Sequence, residues 1–393
     1  MTTPLATHLT FCAQTHIGQV RQGNEDNFLI LDLTSKTSWA GIAEDATEMQ
    51  TLQLGSQGTV FAVSDGMGGA LAGEVASRMA VEIVRDLLPR LRTQPEYQQL
   101  TLQEQLRVAI EQANAAIHIE SIVNAECRGM GATFTAVAIA DDHACFAQVG
   151  DSRAHLIRQG QITRITKDQS VVQQLIDLGQ ITEEQAATHP RRNYILQALG
   201  ATHEIDVVVS YLPLRAGDLL LLCSDGLSGK MTNDEMAQIV NAAADFKEAC
   251  TQLIALANER GGEDNITVVL VQVTGENLSA PEDEAVVPEF IPRPTSSPTE
   301  YLIEEVGLPP PAPPRNEDTV SSGPFVAPAL PPSLASSESI PPPIPEAESP
   351  HAATPEESEQ RGVDGRKIAL IFIVAALLLS ATAFYLNYRF TNH

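Results

Sequence analysis

Apolar residues recur at helical spacing in two stretches of the chain. Val75, Met79, Ile83, Val84 and Leu87 form one set, and Leu102, Leu106, Ile110, Ala113 and Ile117 the other. Steps of three and four residues place each set on one face. The spacing therefore predicts two long amphipathic helices, over about 73–91 and 101–122. Elsewhere the rhythm is that of strands. Short apolar runs lie at about 59–64, 133–140, 145–149, 154–158, 205–211, 219–223 and 266–273. The pair Gln159-Gly160 reads as a hairpin turn between two of them. Strands come in runs rather than in strict alternation with helices. That favours an α+β fold, with antiparallel sheets and helices laid over them, above a doubly wound parallel sheet.

This patterning ends near Thr274, so residues 1–274 read as the folded domain. Residues 275–366 are rich in Pro, Ser and Glu, as in LPPPAPP and SLASSESIPPPIPEAESP. Such a segment cannot bury enough apolar surface to offset the entropy of ordering, and it reads as a disordered, partly polyproline linker. Residues 367–387 then carry IALIFIVAALLLSATAFYL, an uncharged run about as long as the ~30 Å hydrocarbon core of a bilayer at ~1.5 Å per residue. It reads as a transmembrane helix followed by a short tail, 388–393. Arg361, Arg366 and Lys367 precede it and only Arg389 follows, so the positive-inside bias places the large N-terminal part in the cytoplasm. The N-terminus shows no basic segment leading into an apolar run, hence no secretory signal.

Charge and cysteine usage narrow the function classes. Of the 393 residues, 43 % are hydrophobic, enough for a sizeable core. The net charge of −26 argues against a nucleic-acid track, which needs clustered Lys and Arg. It leaves room for binding a single phosphate, because a metal ion inverts the local charge. Cys12, Cys127, Cys145, Cys223 and Cys250 form no C-x-x-C pair and read as reduced thiols.

The distinctive chemistry is a set of aspartates that abut apolar strands. Asp65 ends TVFAVSD, Asp151 ends CFAQVGD, Asp225 ends LLLLCSD, and Asp264 stands before ITVVLVQV; the pair Glu25-Asp26 lies in RQGNEDNF. Any one of these is ordinarily a turn or cap residue. Repeated at the ends of strands that share one sandwich, they bring several anionic oxygens together where few bases are near. A buried carboxylate needs a partner or a metal, and all-oxygen ligation favours Mg²⁺ or Mn²⁺ over zinc. Gly66, Gly68 and Gly69 permit a close backbone approach beside Asp65, so that a carbonyl could join the ligands. Arg21, four residues before Glu25, could grip a phosphoryl group bidentately, although an Arg beside an acid pair is more often a surface ion pair.

RQGNED, FAVSDGMGG, GDSR, LLCSDGL and GGEDNITVV, in this order and spacing, resemble the PP2C (PPM) serine/threonine protein phosphatases, especially their bacterial branch. The likeness covers about residues 8–274, and QLIDLGQITEEQAATHPRRNYILQALG is similar to that branch's flap. The resemblance implies a sandwich of two antiparallel β-sheets flanked by α-helices, with two, and on one reading three, Mn²⁺ or Mg²⁺ ions at one edge. It implies that Asp65 bridges the metals, with Gly66 offering its carbonyl. Asp225 and Asp264 would hold the first ion, and Glu25, with Asp26 beside it, the second. Asp151 with Asp225 would form a third site, Arg21 would bind the substrate phosphate, and Asn265 would support Asp264. Phosphoprotein substrates follow, with membrane-associated Ser/Thr kinases and their targets among them, acted on by a monomeric catalytic domain.

Three positions and one stretch depart from the family pattern. Met67 replaces the eukaryotic members' His after Asp-Gly, which leaves the proton donor as water or another residue, with His189 a weak candidate. His16 and Gln169 also replace usual residues, though neither position is a metal ligand. The stretch from Leu33 to Gln57 is longer than the family's connection and reads as a surface loop. Two other readings stand beside the enzyme: a pseudophosphatase that has lost its chemistry, and a membrane-anchored scaffold acting through the Pro-rich segment.

Overall fold

The computed structural model describes residues 6–41, 48–68, 72–281 and 285–292. The long Pro-rich stretch and the apolar run at 367–387 lie outside the described residues. Among the described ones, no helix is long and apolar enough to cross a membrane.

Two antiparallel sheets form the frame. In chain order the strands are β1 (His8–His16), β2 (Asp26–Asp32), β3 (Thr37–Gly41), β4 (Gln50–Gln53), β5 (Thr59–Met67), β6 (Gly131–Ala132), β7 (Phe134–Ala140), β8 (His143–Val149), β9 (Arg153–Arg158), β10 (Gln161–Arg164), β11 (Val208–Pro213), β12 (Leu219–Cys223), β13 (Ile266–Thr274) and β14 (Glu289–Ile291). One sheet runs β10-β9-β12-β13-β1-β4, and the other runs β14-β11-β8-β7-β5-β2-β3, with β6 paired to β5. The expected hairpin at Gln159-Gly160 joins β9 to β10, with φ of 53° and 79° at its two central residues. Positive φ at both positions is what a tight hairpin turn requires.

The alternation of side chains builds three apolar layers. Phe28 and Ile30 on β2 point into the space between the sheets, where they meet Phe11, Phe61, Phe146, Leu156, Leu220 and Val269. Leu29 and Leu31, one residue out of phase, point the other way. They pack under α1 (Ala72–Thr93) and α2 (Leu102–Val123), the two helices expected from spacing. A capping box at Thr101 and Glu104 fixes where α2 begins. On the outer side of the other sheet, α6 (Asn233–Ala242) and α7 (Phe246–Glu259) cover Leu221, Val268 and Leu270. Three short helices, α3 (Val171–Asp177), α4 (Glu183–Ala187) and α5 (Asp225–Ser228), belong to connections. The architecture is a four-layer α/β/β/α sandwich, as the resemblance implied.

Two stretches differ from the sequence reading. The 33–57 stretch is not a plain surface loop. It supplies β3 to the edge of one sheet and β4 to the edge of the other. Trp39 packs edge-on against Phe11, ring centroids 5.3 Å apart, so the stretch closes one side of the inter-sheet core. The fold also continues past Thr274. Leu278 is buried, the Ala216 N–H donates to the Ser279 carbonyl at 2.9 Å, and β14 adds a strand beside β11. The buried Arg107 of α2 donates to the carbonyls of Ile291 (3.2 Å) and Pro292 (3.4 Å). These contacts are non-local, so a composition shift at 275 could not reveal them.

Candidate active site

Strand direction gathers the acids. β5 and β8 run the same way, and Asp65 and Asp151 lie at their leading ends; β2 starts at that end, with Asp26 directly opposite Asp65. β12 of the facing sheet also ends there, so Asp225 follows it, while Asp264 precedes β13. Close backbone approaches hold these pieces together. A Cβ on Gly66 would fall 2.1 Å from the Gly73 carbonyl, and one on Gly226 would fall 1.9 Å from the Asn265 carbonyl. Neither position tolerates a side chain without moving a segment that carries site residues.

A hydroxyl and amide network positions the acidic residues, mostly through their backbone. The Asp65 N–H donates to Thr133 Oγ1 at 2.9 Å, and Thr133 Oγ1 lies 2.7 Å from Ser152 Oγ. Ser224 Oγ donates to Asp26 Oδ2 at 2.7 Å and accepts the Thr267 N–H at 3.0 Å. Asn265 is a clamp: its Oδ1 accepts the Glu25 N–H (2.7 Å), and its Nδ2 donates to the carbonyls of Ile17 (2.9 Å) and Gly23 (3.0 Å). Sequence reading gave Asn265 a supporting role but missed Thr133, Ser152, Ser224 and Thr267. Ser224 and Ser152 carry one local signal, a hydroxyl beside an aspartate in SDG and GDS, and Thr133 and Thr267 carry none.

The carboxylates remain underpaired despite this network. Asp26 Oδ1, Asp151 Oδ1 and Asp225 Oδ1 are buried and accept no hydrogen bond. Burial and the fields of neighbouring aspartates push the Asp65 carboxyl well above its ordinary range. Burial raises Asp26 to about 7, against the Ser224 hydrogen bond, and raises Asp151 to about 8, helped by the charge of Asp225. Asp225 and Glu25 are raised for the same first reason, desolvation. A cluster that resists its own ionisation is what a bound cation relieves. Among the described residues no three His, Cys, Asp or Glu side chains stand already converged as a complete metal cage. The bare, hard oxygens at one sheet end nonetheless fit small divalent ions that keep several of their waters.

Arg21 sits at the rim with its side chain 45 % exposed, 2.8 Å from Asp264 Oδ2 and 3.8 Å from Glu25 Oε2. The structure thus brings Arg21, Glu25, Asp26, Asp65, Gly66, Asp225, Asp264 and Asn265 together, with Asp151 one strand-end away. Two histidines singled out in the sequence have local roles. His16 Nδ1 accepts the Gly18 N–H at 2.9 Å, and His189 Nδ1 accepts the Arg191 N–H at 3.1 Å in an exposed turn. Both are turn-forming contacts.

A family model for protein phosphatase 2C matches residues 42–270. The serine/threonine phosphatase stp of Listeria monocytogenes serovar 1/2a is 34 % identical over 262 residues, which cover 66 % of this chain and 94 % of that protein. Among solved structures, the S. agalactiae serine/threonine phosphatase aligns with a TM-score of 0.57 at 33 % identity, covering 67 % of this chain and 98 % of its own. The catalytic domain of the phosphatase PstP, solved in complex with 2 manganese ions, aligns with a TM-score of 0.54 at 32 % identity, covering 68 % and 99 %. The chain belongs to the protein phosphatase 2C family.

Proposed function

We propose that the protein hydrolyses phosphoserine and phosphothreonine in other proteins, using two Mn²⁺ or Mg²⁺ ions. The observation that carries this reading is the end-on cluster of buried, underpaired carboxylates in a chain of this family. Asp65 would contact both ions, with the Gly66 carbonyl beside it. Asp225 and Asp264 would hold one ion, and Glu25, with Asp26 behind it, the other. Asp151 shares the field of Asp225 and would hold a third ion with it. Bound ions supply an activated water for in-line attack and neutralise charge on the transferring phosphoryl oxygens. Arg21, planar and solvent-accessible, can pair two of its N–H groups with two phosphoryl oxygens and so fix the ester's orientation. The Ser224 hydroxyl keeps the Asp26 carboxylate from rotating away, and the Asn265 clamp and the Thr133 hydroxyl fix the backbone at Glu25 and Asp65. Met67 cannot donate a proton, so the leaving hydroxyl takes its proton from water or another group.

The reading extends to location. The apolar run at 367–387 and the basic residues before it support a single-pass anchor in a bacterial membrane, with the catalytic domain cytoplasmic and membrane-bound Ser/Thr kinases and their targets as substrates. A chain ending at residue 292 is then expected in the soluble fraction with its activity intact; recovery of that chain in membranes would remove the anchor. For the chemistry, the decisive assay is phosphate release from a phosphothreonine peptide with Mn²⁺, with EDTA, and with Asp65→Asn. Release that disappears under both treatments is the expected result. Absence of release from the folded, Mn²⁺-supplied protein would favour the pseudophosphatase.

A further inference from the structure

Residues 170–206 form an excursion between β10 and β11. They contain α3 and α4 and present exposed apolar side chains at Leu178, Tyr194 and Leu196. Both ends of this flap meet at one side chain. The Gln169 Oε1 accepts the Gly150 N–H at 2.7 Å, and its Nε2 donates to the Asp206 carbonyl at 3.2 Å. Its backbone completes the junction. The Gln169 N–H donates to the Gly150 carbonyl at 3.0 Å, and the Gln169 carbonyl accepts the Leu196 N–H at 2.7 Å. Gln169 therefore ties the Asp151 turn to the start of the flap, to its returning segment at Leu196 and to its exit at Asp206.

A second glutamine braces the same turn from inside. The buried Gln148 donates to the carbonyls of Gly150 (3.2 Å) and Ser152 (3.3 Å) and accepts the Lys167 N–H at 3.2 Å. The turn bearing Asp151 is thus splinted twice, and only the Gln169 splint reaches the flap. Tyr194 and Leu196, which flank the junction, are 61 % and 50 % exposed. Residues on either side of a phosphorylated side chain can rest there, whereas a small aryl phosphate has nothing to place there.

We propose that Gln169 is a positioning residue that couples the flap to the Asp151 turn, so that contacts made by a protein substrate on the flap act on the geometry of Asp151. The proposal rests on the phosphatase reading and adds a residue that discriminates protein from small-molecule substrates. Gln is suited to the position because one uncharged side chain can accept from Gly150 and donate to Asp206 at once. Leu fills a similar volume and makes neither bond. His can accept from Gly150 but cannot span both partners.

The test compares the full chain with its Gln169→Leu and Gln169→His variants in two ways. Amide hydrogen exchange reports order without requiring activity. In Gln169→Leu, exchange is expected to accelerate about tenfold both in residues 150–153 and in residues 194–206, with little change in β1 or β13. Kinetics report the consequence. For a phosphothreonine peptide, kcat/KM should fall about tenfold, mainly through KM, the lower end of what losing an outer-shell partner costs. For p-nitrophenyl phosphate it should change less than about twofold, and Gln169→His should recover part of the peptide loss. Faster exchange in the flap without change at 150–153, or proportional losses on both substrates, would overturn the coupling. If Gln169→Leu fails to fold, the same criteria apply to Gln169→His alone. A wild-type protein that hydrolyses neither substrate would sink the phosphatase reading, while the exchange comparison would still decide the coupling.

Discussion

Strand β12 has an aspartate with a buried carboxylate oxygen near each end, and the two are treated in opposite ways. Asp218, 1 % exposed, accepts Nε and Nη2 of Arg158 at 2.8 and 2.7 Å and the Arg215 N–H at 2.8 Å. Asp225, a few residues later, leaves Oδ1 bare and lies among Asp65, Asp151 and Asp264. The local sequences, GDLL and CSDG, give little warning of the difference. Burial alone therefore does not mark a functional carboxylate; the state of its partners does. Asp218 is a closed account within the fold, and Asp225 is open to something from outside it.

Exchanging each for its amide should separate the two ends cleanly. Asp225→Asn removes a proposed metal ligand and should lower phosphatase activity by more than the roughly 100-fold that marks the upper range for an outer-shell partner, while urea unfolding of the metal-free protein shows unchanged or higher stability. Asp218→Asn should do the reverse. It removes the charge that pairs with the largely buried Arg158 and should cost about 3 kcal/mol, with activity per folded molecule retained. A large stability loss in Asp225→Asn would mean that its charge is compensated within the fold.

Acidity sharpens the same contrast. Asp26 and Asp151 are raised to about 7 and about 8, so the folded state binds protons more tightly than the unfolded chain does. Their contribution to stability is fully present below the ordinary carboxylate range and is lost as pH rises through the raised values. The metal-free protein should therefore show a falling Tm between about pH 5 and about pH 8, and Asp151→Asn should flatten that slope. Mn²⁺ should raise Tm most at the alkaline end. A metal-free Tm that climbs over this range would contradict the underpaired cluster. The smallest effect belongs to His189→Ala. Its ring only caps an exposed turn, so stability should move by less than about 0.5 kcal/mol, with turnover barely altered.

The sequence reading picked out the acids that the structure gathers at one end of the sheets because its signal was repetition: the same residue type abutting several apolar strands. It located the two long helices because their periodicity is local. It passed over β1, whose Thr, Gln and His residues dilute the alternation. There Thr15 Oγ1 bonds Thr267 Oγ1 at 2.7 Å, and Gln14 reaches Thr251 at 3.1 Å, both across more than two hundred residues. It read the 33–57 stretch as a loop because β3 and β4 owe their form to partners on two different sheets. Gln169 looked like a harmless departure for a similar reason. Nothing within its own segment announces that Gly150, Leu196 and Asp206 converge on it.

Strand β14 bears on where the molecule can be cut. Ile291 shares a lateral row with Val209, Ala147, Ala136 and Ala62, and the strand runs in the same direction as β5. A gene fragment stopped at Thr274 would strip this strand, lay bare the edge of β11 as a template for stray pairing, and leave Arg107 without the Ile291 and Pro292 carbonyls. Stopping at residue 292 keeps both. A fluorophore or affinity handle fused there would leave the protein heading toward the catalytic end, so it reports on substrate arrival from close by and needs a spacer wherever access must stay free.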